Sequence, residues 1–186
     1  MNLSPEIKRI LRYDLKFIQS LVDDFLCDQV IRNRLTMIKG HDVNDWEKWL
    51  QVELEYYLRT TNKVKNIKRE VPYIVDRRRS KLRNKIYLDF TFNKRINSTE
   101  VFMVELKRER KASTLLRNMW DDVVKIYTMR GSCDNCRTFW CIGFYSDVGV
   151  KSNLLIEKKL NEYETPTVHK IVDLDGKGLQ MGYIIL

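Results

Sequence analysis

The chain has 186 residues, 44% of them hydrophobic and 32% charged, a balance suited to one folded domain with a sizeable core. Its 34 Lys and Arg against 25 Asp and Glu give a formal charge of +9, which points to a polyanionic partner, nucleic acid before a membrane surface. No apolar run approaches the roughly 20 residues of a membrane helix, the N-terminal MNLSPEIKRILRYDLKF lacks a signal-peptide core, no Walker loop is present, and two histidines argue against HNH-type chemistry.

The expectation is a soluble, cytoplasmic protein without a membrane partner. From residue 5 to about 35 apolar residues recur at helical spacing, with Ser4 as N-cap, Pro5 in the first turn, a break near Cys27–Asp28 and an end at Gly40. A second helical stretch runs from about Asn44 to Thr60. VKNIKREVPYIV follows, then the basic run DRRRSKLRNK, then the hairpin YLDFTFNKRINSTEVFMVELK over residues 87–107. Residues 113–130 read as a helix, TFWCIGFYS as a buried strand, 152–163 as a short helix, and TVHKIVDL and MGYIIL as closing strands around DGKG. The chain is therefore read as one α/β domain: an N-terminal helical segment (1–40), a core (44–145), and a C-terminal helix with strands (146–186).

The hairpin carries charges where strands this apolar should not. Alternate residues of a strand share a face, so Glu105 and Lys107 lie together, and folding at Lys94–Ser98 brings Asp89 alongside them. Buried charges cost several kcal/mol each unless they are paired or hold a metal; a salt-bridged edge is the plain alternative. In the helix from Asn44, Glu47, Lys48, Gln51, Glu55 and Arg59 are read as one side. Glu53 falls on the other, between Trp49 and Leu50 one turn before and Tyr57 one turn after. A glutamate centred on an apolar stripe breaks a local rule, as functional residues do.

Helix Glu53, strand Asp89, strand Glu105-Leu106-Lys107, then a helix: this order over residues 44–145 resembles the PD-(D/E)XK nuclease superfamily, with Leu88 where the name-giving motif has proline. The resemblance implies a restriction-endonuclease-like core, a central mixed β-sheet flanked by helices. It also implies an endonuclease dependent on Mg²⁺ or Mn²⁺, cutting nucleic acid, foremost double-stranded or branched DNA, alone, as a homodimer or with a partner protein. Asp89, Glu105 and the Leu106 carbonyl would hold the ion, Glu53 would join them directly or through water, and Lys107 would orient water or stabilise phosphate charge. Arg77, Arg78, Arg79, Lys81, Arg83 and Lys85, just before the Asp89 strand, would contact phosphates. A non-catalytic nucleic-acid-binding or protein-interaction module is the alternative. Of the four cysteines, Cys133-x-x-Cys136 with Cys141 and His169 supplies one pair where a structural zinc usually takes two, so reduced thiols are expected.

Overall fold

The computed structural model describes residues 3–76, 85–96, 98–126, 129 and 135–186. Helix α1 spans Pro5–Cys27 and α2 spans Gln29–Gly40; Asp28 ends the first and caps the second, its carboxylate accepting from the N–H groups of Val30 (2.8 Å) and Ile31 (3.2 Å). The break near Cys27–Asp28 thus has a cause: a side chain that satisfies the exposed donors of a new helix. Helix α3 covers Glu47–Thr60, and strands β1 (Val64–Ile74), β2 (Lys85–Lys94) and β3 (Val101–Glu109) follow. Helix α4 (Ala112–Ile126), β4 (Cys136–Tyr145), α5 (Val150–Leu160), β5 (Val168–Asp173) and β6 (Gln180–Ile185) complete the described elements.

The strands form one mixed sheet in the order β1-β2-β3-β4-β6-β5. Only β3 and β4 are parallel, joined by the crossover helix α4; the other neighbours are antiparallel. Both faces are covered, making the chain an α/β protein in three layers. Phe90, Phe92, Phe102, Val104, Leu106, Trp140 and Ile142 face α1, α2 and α3, whereas Cys141, Tyr145 and Ile184 face α4 and α5. Among the described residues no helix is long and apolar enough to cross a membrane.

Two features of this frame position the charges. The β2–β3 ladder ends at Phe90↔Val104, so the strands part at Asp89 and Glu105. In addition, α4 rides close to the sheet over Gly143, which is paired with Lys107: a Cβ there would lie 2.8 Å from Leu115 Cδ1 and closer still to Met119 Sδ. On the opposite side, the buried Asp14 of α1 accepts from Lys94 Nζ (3.0 Å) and Arg137 Nε (2.8 Å), tying the N-terminal helix to β2 and to β4.

Candidate active site

Where β2 and β3 part, side chains do the work of the missing ladder. Asp89 Oδ2 accepts from the Leu106 N–H at 2.8 Å, and Glu47 Oε2 accepts from the Arg108 N–H at 3.1 Å. A strand residue turns its N–H and C=O to the same side, so the Leu106 carbonyl opens into the same notch as Asp89. Glu105, 4% exposed, lies beside it; its Oε2 is 3.4 Å from the Asp89 N–H, a long and weak contact. The other oxygen of Asp89, Oδ1, accepts from Gln51 Nε2 of α3 at 2.7 Å, and Lys48 Nζ links Gln51 Oε1 (3.1 Å) to Glu70 Oε1 (3.2 Å).

Helix α4 closes the other wall with two residues. Lys125 Nζ stands 3.1 Å from Glu105 Oε1 and 3.4 Å from Asp122 Oδ1, while Lys107 Nζ stands 3.1 Å from Asp122 Oδ2 and 4.0 Å from Glu105 Oε1. The charges alternate around a ring. Asp122 Oδ2 makes no aligned hydrogen bond, so its contact with Lys107 is an ion pair alone. Among the described residues, four carboxylates (Glu47, Asp89, Glu105, Asp122) and three lysines (Lys48, Lys107, Lys125) gather around the notch.

The electrostatics follow. Burial first, then the Asp89 charge, push the Glu105 carboxyl up to about 7 against the opposing Lys125. Burial also raises Asp89, despite the Leu106 N–H and the lysines, and raises Glu47. Burial works against the charge of Lys107, but Asp122, Glu47 and Glu105 outweigh it and hold the ammonium more firmly protonated than usual. Cys141, fully buried behind the site, is pushed well above the ordinary thiol value by that burial.

Of the residues singled out from sequence, Asp89, Glu105, Leu106 and Lys107 come together. Glu53 does not: it pairs with Arg34 of α2, and the α3 residues that reach the site are Glu47, Gln51 and, through Gln51, Lys48. The reason is that the buried stripe of α3 is Leu50, Leu54 and Leu58, with Trp46 before it; this places Glu53 at the α2 border and turns Gln51 inward. Asp122 and Lys125 were not among the candidates. Their only sequence signal is an acid and a base three residues apart near the end of a helix.

Lys85 is exposed at the start of β2, while Arg77, Arg78, Arg79, Lys81 and Arg83 lie outside the described residues, as does Cys133. Cys27 and Cys141 are free thiols, Cys136 Sγ lies 3.6 Å from Met103 Sδ, and His169 pairs with the Tyr145 hydroxyl at 2.7 Å.

Among the described residues no three His, Cys, Asp or Glu side chains form a ready-made metal cluster. The notch offers two carboxylates and a carbonyl. That oxygen set fits Mg²⁺, which is usually bound through one or two carboxylates and keeps several waters. Compared with protein-family models, with curated proteins and with solved structures, the chain matches none.

Proposed function

We propose that the protein is a metal-dependent nuclease on a restriction-endonuclease-like core, hydrolysing phosphodiester bonds in nucleic acid, DNA foremost. One observation carries this reading: Glu105 is buried and Asp89 half-buried beside it in the notch where β2 and β3 part, with Lys107 across from them. Two neighbouring carboxylates in low dielectric call for a cation. The formal charge of +9 supports a polyanionic substrate held against that notch.

In this reading Asp89, Glu105 and the Leu106 carbonyl hold the cation. A bound Mg²⁺ or Mn²⁺ supplies phosphate polarisation and an acidified water. In the metal-free protein the acidic neighbours of Lys107 outweigh its burial and favour its protonated form, which suits it to donate rather than to accept a proton. It therefore stabilises the charge that builds on the phosphate and orients the attacking water by donating hydrogen bonds. Glu47 takes the outer acidic position that Glu53 cannot fill, and Gln51 fixes the Asp89 carboxylate. Exposed cations at the rim, Lys48 and Lys85 among them, draw the nucleic-acid backbone in.

A second reading has its own support. Lys125 and Lys107 already neutralise Glu105 and Asp122, as a purely structural ion cluster would, leaving a binding module that needs no metal. The experiment incubates the purified protein with plasmid, linear and branched DNA and with RNA, in Mg²⁺, Mn²⁺ or EDTA. Cleavage is expected with either metal and not with EDTA. Lys107→Ala should slow it by at least about a hundredfold, and Asp89→Asn should abolish both cleavage and metal uptake. Nucleic-acid binding without cutting in any metal, or variants that cut at the wild-type rate, would put the binding module ahead.

A further inference from the structure

We propose that Lys125 is the resident counter-cation of the Asp89–Glu105 pair, held in place by Asp122, so that a divalent cation entering the notch competes with a charge already there. The proposal rests on the metal-dependent reading above and adds a residue pair from outside the hairpin.

Three observations carry it. Lys125 is the nearer of the two lysines to Glu105 Oε1, at 3.1 Å against 4.0 Å for Lys107, although it comes from a different element. Asp122 stands between the lysines and gives each one oxygen, Oδ1 to Lys125 and Oδ2 to Lys107, which anchors both ammonium groups to α4. Finally, the ring divides Glu105: Oε1 faces the lysines, and Oε2 faces Asp89 through a contact of 3.4 Å. An oxygen with so weak a partner is the one a cation shared with Asp89 would take. That cation would then lie one carboxylate away from the Lys125 ammonium, close enough in a partly buried site for repulsion to be felt. Lys125 thus stabilises the paired carboxylates without metal and weakens the hold on metal when it arrives.

This predicts opposite signs for two neighbouring residues of one helix. Damage to the fold would weaken metal binding at both, whereas loss of a competing charge strengthens it at one. The test is calorimetric titration of the full chain with Mg²⁺, without nucleic acid, at about pH 9, where Glu105 is ionised. Lys125→Met and Lys125→Gln should bind Mg²⁺ at least about fivefold more tightly, and Lys125→Arg should keep the wild-type affinity. Asp122→Asn should bind at least about threefold more weakly, since a negative charge is gone and Lys107 is free to turn to Glu105. Either neutral Lys125 variant suffices if melting curves show the other unfolded. Wild-type or lower affinity in the neutral variants overturns the role of Lys125 while leaving the nuclease reading intact. A wild-type protein that takes up no Mg²⁺ overturns both.

Discussion

Glu105 sets how the metal-free protein responds to pH. Burial and the neighbouring Asp89 lift its carboxyl from 4.5 to about 7. An acid raised in this way binds protons more readily when folded, so the folded state loses stability as pH rises from about 4.5 through about 7. The shift corresponds to something on the order of 3 kcal/mol. Glu105→Gln keeps the shape and removes the titration. Unfolding in denaturant, without divalent ions, should show the variant gaining on the wild type by roughly 2–3 kcal/mol between pH 5 and pH 8. A gap that stays constant across that interval would mean that Glu105 is as well solvated as a free glutamate. Asp89 shifts in the same direction, also through burial, but its Leu106 and Gln51 hydrogen bonds make it part of the strand's own fabric. Replacing it with Asn is therefore the cleaner test than Ala.

At the scale of elements, α3 separates what a helix face suggests from what it does. Glu53→Ala should leave cleavage and Mg²⁺ affinity unchanged and cost less than about 1 kcal/mol, because its partner Arg34 is nearly half exposed. Glu47→Gln should slow single-turnover cleavage by about tenfold or more while the fold melts normally. A slow Glu53 variant beside a fast Glu47 variant would reverse the assignment. The hairpin was legible because its signal is local: a period of two and a short turn place Asp89 against Glu105 without reference to the rest of the chain. Helix α3 was less so, since Trp49, Val52, Tyr56 and Tyr57 spread apolar surface around it and blur which stripe is buried. Asp122 and Lys125 were not legible at all. Their place depends on how the crossover helix lies across the sheet, which no periodicity encodes. The α1–α2 break, by contrast, was marked by its own capping aspartate.

For the molecule as a whole, the N-terminal helix is fastened by charge as well as by grease. Asp14 is fully buried and holds both Lys94 and Arg137, from strands on either side of β3. Asp14→Ala would strand two partly buried cations, and we expect a loss of about 3–5 kcal/mol in denaturant unfolding. A loss under about 1 kcal/mol would mean that the apolar seam of α1 alone keeps it docked. Lys94 stands at the end of β2 five residues beyond Asp89 and Arg137 at the start of β4, so this tie supports the sheet away from the notch.

Gly143 has no side chain to offer, yet it governs the notch by leaving room. Helix α4 rests on it through Leu115 and Met119, and the same helix carries Asp122 and Lys125 one to two turns further on. A methyl group wedged there would jack the helix away from the strand that bears Lys107, and ion pairs near 3 Å tolerate only a few tenths of an ångström. A descendant chain with alanine at this position could thus retain every acid and base of the site and still have lost the spacing between them. Competence in such a lineage would be inherited through a void, and a comparison of charged residues alone would pass over the residue that decides it.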